Sequence, residues 1–450
     1  MNNFRLYVGA ISRCSSLALA FDSHVMKRGL LSFVLLAPLL ASVALADTGD
    51  VVTAINALGL DLYRAQPASD GNLLLSPYSI QDALAMTYAG AAGDTRAEMQ
   101  RVLHYPADDT ELHSGFAELA RELGQIQQDS AQLVASGAKE EGRNPSTPIE
   151  LHVANRLFVQ EGYELRAPFL ALVKDDYGAE PELLDFAHAT EQARSTINGW
   201  VEEQTKGKIH DVIPAGGLSE KTRLALANAI YLHAGWEKPF DANWTKPAEF
   251  FVHGTDSTMV PTMNNTEHTY GYLHRDDFTA VSVQYVGGGL QFLILLPDAH
   301  DGLPALEHKI TPALLAECAA LPASFVDLYL PKFKLVPPSI KLGSQLQKLG
   351  LKTAFDQPKR SANFDRMAPR KPDDYLAIGE VYHKAFLSLD EEGTEAAAAT
   401  VVEMMEAAGA MYDPNKPEPI EVHVDHPFIF AIQHVPTGEC LFLGRVSDPR

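Results

Sequence analysis

The stretch Glu391–Pro419, EEGTEAAAATVVEMMEAAGAMYDPNKPEP, decides how the rest of the chain is read. On either side, Tyr375–Asp390 (YLAIGEVYHKAFLSLD) and Ile420–Val435 (IEVHVDHPFIFAIQHV) are rich in Val, Ile and Phe with partial alternation, the pattern of strands. A connection between strands normally carries Gly, Pro, Asn, Asp and Ser. Thr394 to Ala408 contains none of these. Read with a period of two, Thr394, Ala396, Ala398, Thr400, Val402 and Met404 make one small or apolar face. Glu395, Ala397, Ala399, Val401, Glu403 and Met405 make a mixed one. That is a strand with one buriable face. No proline interrupts Glu391 to Asp413, so every N–H there can join a sheet, whereas Pro414, Pro417 and Pro419 end any strand. On pattern alone a short exposed helix fits as well, because Ala and Glu are good helix formers.

The chain has 450 residues, 46% hydrophobic and 21% charged, the composition of a globular protein. No repeat or Pro/Gly/Ser-rich linker divides it. A net charge of −22 with no basic cluster argues against nucleic acid or other polyanions as partners. Met26-Lys27-Arg28, the apolar run after it and Ala44-Leu45-Ala46 before Asp47 have the layout of a secretory signal. Residues 1–46 are therefore expected to be a leader, with 1–25 an over-extended start, and the protein to be secreted or periplasmic with no membrane anchor after processing. Cys318 and Cys440 are the only cysteines beyond that leader, too few for a disulfide scaffold.

Along the chain, Val51–Arg64 and Ile80–Ala91 have helical spacing around a short apolar strand at Asn72–Ser76, and Ser79 is a candidate cap for the second helix. Asp129–Pro148 is polar and turn-rich and reads as an exposed insertion. Ile149–Gln160 alternates as a strand, Thr190–Lys206 is an amphipathic helix, and Thr222–Trp236 is a long strand. Several strands follow between Glu249 and Pro297, with Gly287–Gly289 joining two of them. Leu303–Leu321 and Ile340–Leu349 read as helices, with a strand at Phe325–Leu335 between them.

The hinge Gly393-Thr-Glu-Ala-Ala-Ala-Ala-Thr400 resembles the reactive-loop hinge of the serpins. The block from Asn72 through Leu103, Asn198-Gly-Trp200 with Thr205-Lys-Gly-Lys-Ile209, Asn228-Ala-Ile-Tyr231 with Gly235-Trp236, and Phe442-Leu-Gly-Arg445-Val are also similar to that family. The resemblance implies one α+β serpin domain over 47–450: three β-sheets with surrounding helices, an exposed reactive loop at about 391–419 and a metastable native state. It implies a pseudo-substrate inhibitor of serine proteases, monomeric, with no cofactor, forming a covalent 1:1 complex with its target. Serpin loop insertion is itself a known case of strand addition. Glu391, Gly393, Thr394, Ala396, Ala397, Ala398, Ala399 and Thr400 would be the hinge. It is expected to stay outside the sheet until it is cut, with Thr394 the first residue to enter. The family's spacing from Gly393 puts the reactive bond at Ala407–Ala408, which suits elastase-like targets. The loop is longer than usual, and Met404, Met405, Met411 or Tyr412 at the bond would suit chymotrypsin- or subtilisin-like enzymes. Ser76, Ser79, Asn228 and His383 match the region where the large sheet opens, and Trp236 and Glu391 the end where insertion begins.

Two rival readings compete with this one. An enzyme is disfavoured because the chain has no Gly-x-Ser-x-Gly elbow, His-Glu-x-x-His motif, Walker loop or Cys-x-x-Cys pair. His268, His274, His423 and His426 lack helical metal spacing, so no catalytic residue and no metal site is expected. A non-inhibitory serpin acting as carrier or chaperone is the alternative, but such members usually carry obstructive hinge residues and this hinge is clean.

Overall fold

The computed structural model describes residues 48–66, 71–137, 147–395 and 418–450. The expected leader lies outside the described residues. The strands, in chain order, are β1 (Leu73–Leu75), β2 (Glu150–Gln160), β3 (Glu182–Leu184), β4 (Leu224–Gly235), β5 (Lys246–His253), β6 (Asp256–Arg275), β7 (Phe278–Gln284), β8 (Leu290–Pro297), β9 (Ala323–Pro331), β10 (Phe333–Leu335), β11 (Ile340–Lys341), β12 (Ile378–Leu389), β13 (Gly393–Thr394), β14 (Ile420–His423), β15 (Phe428–His434) and β16 (Glu439–Val446). The helices are α1 (Gly49–Ala65), α2 (Pro77–Ala89), α3 (Gly93–Val102), α4 (Asp109–Gly137), α5 (Ala167–Tyr177), α6 (Thr190–Gln204), α7 (Leu303–Lys309), α8 (Pro312–Cys318) and α9 (Gly343–Leu349).

One sheet follows the order β10-β12-β13-β4-β2-β3, with β11 against β12 and a direct β12–β4 pairing. The other follows β1-β16-β15-β8-β7-β6-β9-β14, with β5 against β6. The three expected sheets thus join into two hydrogen-bonded ones, because β6 is long enough to belong to two of them. Its first half pairs with β5, its last residues with β7, and β9 runs alongside much of its length.

The central strand β4, LALANAIYLHAG, shows how the layers are made. Leu224, Leu226, Ile230 and Leu232 face the main core, while Ala225, Ala227, Ala229 and Tyr231 face a smaller cluster with Ile197 and Val201 of α6. Alanines on that second face let α6 lie close to the sheet. Both faces are therefore covered, and the strand reads as continuously apolar.

Among the departures from the sequence reading, which include Ile340–Lys341 as strand β11 and the strand read over Phe325–Leu335 as β9 and β10, four have a clear local cause. Ser76 caps α2, its Oγ accepting from Ser79 N–H at 3.1 Å, so Ser79 is already inside the helix. Asp129–Gly137 continues α4 instead of forming a loop. Ser130 Oγ there accepts from Ile149 N–H at 3.0 Å, a tertiary bond no composition count reveals. The single helix expected over Leu303–Leu321 is two, because Pro312 cannot donate within a helix and Thr311 caps the second one, accepting from Leu314 N–H. The strand expected over Ile420–Val435 breaks between β14 and β15 at Pro427.

One buried amide ties the first helix to the last hairpin. The β15–β16 register slips between Ile432 and Gln433, and there Cys440 N–H donates to Asn56 Oδ1 at 2.9 Å. Asn56 Nδ2 donates to Gly438 O at 3.0 Å, and the side chain is 2% exposed. Asn56→Leu strands both backbone groups away from water. It is expected to lower stability by about 2–4 kcal/mol, measured as a reduced midpoint of urea unfolding.

Candidate functional site

β12 and β4 run parallel and pair directly from Ile378 beside Leu224 to Phe386 beside Tyr231. Above that they part, and Gly393–Thr394 fills the gap. Thr394 lies opposite Leu389 of β12 and Ala234 of β4, and Gly393 opposite Gly235, antiparallel to both strands. The hinge residues Gly393 and Thr394 are therefore already seated in the uncut chain, where the sequence reading kept them outside. The cause is the turn at Asp390–Glu392, which folds the chain straight back onto β12. Asp390 N–H donates to Gly393 O at 2.9 Å, and Glu392 N–H to the Asp390 carboxylate at 3.0 Å.

Trp236 and its neighbours hold that turn from the β4 side. The Trp236 N–H donates to Glu392 O at 2.9 Å and its Nε1–H to Asp390 O at 3.0 Å, while Phe240 N–H donates to Glu391 O at 2.9 Å. The Glu391 carboxylate accepts from Thr245 Oγ1 at 2.7 Å and from Lys332 Nζ at 2.5 Å. Burial acts to raise its pKa, but the bonds from Lys332 and Thr245 outweigh that and hold it below the usual carboxylate range. Trp236 and Glu391 thus sit at the end of the sheet where β12 and β4 part.

Gly393 has φ +151°, and an added Cβ would lie 2.1 Å from Ala234 O, so only glycine fits this approach of two strands. The Thr394 side chain is fully buried, its Oγ1 sharing a hydrogen bond with the Tyr285 hydroxyl at 2.5 Å. Tyr285 in turn stacks on Trp236, ring centroids 4.6 Å apart. Glu395 donates its N–H to Ser388 O at 2.7 Å and pairs through its carboxylate with Lys208 at 2.5 Å. Its φ of +51° turns the chain out of the strand direction. Ala396, Ala397, Ala398, Ala399, Thr400, Met404, Met405, Ala407, Ala408, Met411 and Tyr412 lie outside the described residues.

Lower in the same sheet, a polar cluster crosses three strands in register: Asn155 of β2 opposite Asn228 of β4, and Asn228 beside His383 of β12. His383 Nδ1 meets Asn228 Oδ1, and its Nε2 accepts from Ser76 N–H at 3.1 Å. Asn228 Nδ2 donates to Ser79 O, Ser79 Oγ and Asn155 Oδ1. Asn155 Nδ2 donates to Ser79 O at 3.0 Å and to Asp82 Oδ2 at 2.7 Å. All four residues picked from the sequence for this region, Ser76, Ser79, Asn228 and His383, are brought together. Burial pushes the His383 pKa down to about 3 and that of Asp82 up to about 7. His383 is neutral inside, and Asp82 keeps its proton until the pH nears neutrality, which limits unpaired charge in the buried cluster.

Sequence reasoning missed Asn155, Asp82, Tyr285, Lys332, Thr245 and Lys208. Asn155 had a signal. In ELHVANRLFVQ it falls in phase with Leu151, Val153, Leu157 and Val159, an amide on an apolar face. The others carry none, because their partners are distant in sequence.

Comparison with known proteins agrees with this geometry. The family model described as Serpin (serine protease inhibitor) matches residues 53–449. The chain is 37% identical over 400 residues to the leukocyte elastase inhibitor of Bos taurus, covering 87% of this chain and 96% of that protein. It is 36% identical over 401 residues to a serpin-like protein of Thermococcus kodakarensis, covering 89% and 86%. Among solved structures, a highly specific serpin of the insect Tenebrio molitor superposes with a TM-score of 0.72 at 30% identity, over 89% of this chain and 98% of that one. Human thyroxine-binding globulin complexed with its hormone gives 0.71 at 28%, over 90% and 100%. By its sequence over nearly all of the described residues, and by its fold, the chain belongs to the serpins, a family of serine protease inhibitors rather than of enzymes.

Proposed function

We propose that this serpin is a suicide inhibitor of serine proteases, exported to the periplasm or beyond and acting as a monomer in a covalent 1:1 complex. The observation that carries the reading is Gly393–Thr394 hydrogen-bonded antiparallel between two strands that pair parallel to each other just below. The target's serine attacks the Ala407 carbonyl, an ester forms, and the amine of Ala408 leaves with the proton passed on by the protease histidine. The freed segment then extends β13 downward. Roughly thirteen residues from Glu395 to Ala407 span about 40–45 Å as a strand, and the tethered protease travels with them. A displacement of ~1 Å at a catalytic centre can cost on the order of 100-fold in rate, so the ester outlives the encounter.

Each step of insertion exchanges one parallel β12–β4 pair for antiparallel pairs on both sides, the somewhat more stable arrangement. Each new cross-strand pair adds about 0.2–1 kcal/mol. In a strand continued in phase with Thr394, which faces Tyr285, Ala396, Ala398 and Thr400 would be directed at the main core. The small Ala407 at the cut bond and the inhibitors of leukocyte elastase among the relatives support an elastase-like target.

Incubation with elastase-, chymotrypsin- and subtilisin-type enzymes is expected to give an SDS-stable complex, strongest with elastase. The mass of the released C-terminal peptide locates the bond. Cleavage without a complex favours the carrier or chaperone reading. Thr394→Arg, which forces a charge into a fully buried site beside Tyr285, and Ala398→Pro are each expected to turn the inhibitor into a substrate. A persistent complex with either variant would refute the insertion mechanism.

The control cluster makes a pH prediction. His383, with its pKa depressed in the fold, takes up its proton only on unfolding, so its term weakens the native state as pH falls from about 6.5 towards about 3. Asp82, with its pKa raised, holds its proton in the fold, and its term weakens the native state as pH rises from about 4 towards about 7. Between about pH 4 and 6.5 the two oppose each other. Asp82→Asn keeps the acceptor for Asn155 and removes one term. The variant's stability is expected to fall relative to the parent by about 1.4 kcal/mol per pH unit on acidification through that window, read from urea midpoints.

A further inference from the structure

Three donors that the sequence scatters meet at one place in the fold. His300 follows β8, Asp425 and His426 lie between β14 and β15, and their ligating atoms are all within 4.8 Å of one another. His426 is 5% exposed, its Nε2 lies 2.6 Å from Pro297 O, and its Nδ1 lies 2.6 Å from Asp425 Oδ1. A carbonyl oxygen only accepts, so Nε2 carries a proton and donates it. In the neutral ring Nδ1 then presents a lone pair to a carboxylate, two acceptors face to face. Either a second proton or a cation must stand between them. The third donor favours the cation, since His300 has its ring centroid 4.9 Å from that of His426 and is held in place by stacking on Phe251 at 4.1 Å.

We propose that His300, Asp425 and His426 form a binding site for a divalent transition-metal ion, zinc being the fitting case. Two imidazoles and one carboxylate suit zinc and not the hard ions calcium and magnesium, which take oxygen ligands. The Nε2–H bond from His426 to a backbone carbonyl is the outer contact that metal-bound histidines usually make, since it fixes the tautomer and turns the other nitrogen to the metal. Donors on a tetrahedral zinc with bonds near 2.0–2.1 Å lie roughly 3.3 Å apart. Closing the site therefore takes small rotations of His300 and Asp425, both only partly buried. Phe251 N–H also donates to Asp425 O at 2.7 Å, so an ion here ties β5 and the end of β8 to the β14–β15 connection. That connection follows β14, the first strand after the proposed reactive loop.

The test is equilibrium dialysis of the full chain against zinc alone, with bound metal counted by mass spectrometry. His300→Phe keeps the ring stacked between Phe251 and His426 but removes the nitrogen. His188→Ala removes a different exposed His–Asp pair, His188 with Asp185. The parent and His188→Ala are expected to bind one zinc at this site. His300→Phe is expected to bind it on the order of 100-fold more weakly, with an unchanged thermal midpoint in metal-free buffer showing that it is folded. Zinc is expected to raise the thermal midpoint of the parent and not of His300→Phe. No zinc on the parent, or equal binding by His300→Phe, would mean that a proton alone bridges His426 and Asp425 and would overturn the proposal.

Discussion

The constraint on which the rest of this structure depends is the direct parallel pairing of β12 with β4 beneath a hinge that has begun to part them. Parallel neighbours are common where helices cover both faces of a sheet, but they are slightly weaker than antiparallel ones. Here the two strands meet in a parallel register over Ile378–Phe386 and separate above it, where two residues of a third strand already sit. Nothing has to be nucleated for that strand to lengthen. The turn at Asp390–Glu392 is fixed by bonds to Trp236 and Phe240, and Thr394 is locked to Tyr285. The slow step of strand formation, bringing the ends together, is complete before any loop is cut.

What restrains further opening is polar and lies lower down. Asn155, Asn228 and His383 stand in one row across β2, β4 and β12, and the His383–Asn228 contact bridges the two strands that must part. Breaking it exposes buried donors and acceptors to each other's absence, and such groups cost about 1–3 kcal/mol each when left unmade. An apolar row would slide apart gradually. On the proposed mechanism, a hydrogen-bonded row would hold until an entering strand offered new partners, giving the sheet two defined states and few between.

Much of this was legible in the residues. The period-two pattern from Thr394, the missing loop residues and the bounding prolines allowed a strand there but fitted a helix as well. The family resemblance picked out Ser76, Ser79, Asn228 and His383; Asn155, in phase on the apolar face of β2, could have been added and was not. The seating of Gly393–Thr394 was not legible, because it depends on the 2.1 Å clearance at Ala234 O and on Tyr285, neither encoded nearby. The last turns of α4, from Asp129, were hidden by their polar composition, and there a serine bonds across to Ile149. The division of Leu303–Leu321 was there to be read in Pro312 and passed unused. Contacts between residues far apart in the chain, such as Lys332 with Glu391, leave no local pattern at all.

Glu395 is the last described residue before the segment proposed to insert, and its geometry bears on that first step. Its positive φ suits a chain leaving the sheet and not one continuing down it, a conformation that costs a non-glycine residue roughly 1–2 kcal/mol. Continuing the strand relieves that cost but turns the backbone, so the Lys208 pair must be remade or lost. The lysine end of the pair is partly solvated, but the Glu395 side chain is only 12% exposed, so this is not a weak surface bridge. Backbone relief favours continuing the strand, and loss of the ion pair opposes it. On the proposed insertion, resistance is shared by that pair, the Phe386–Tyr231 contact and the amide row beneath it.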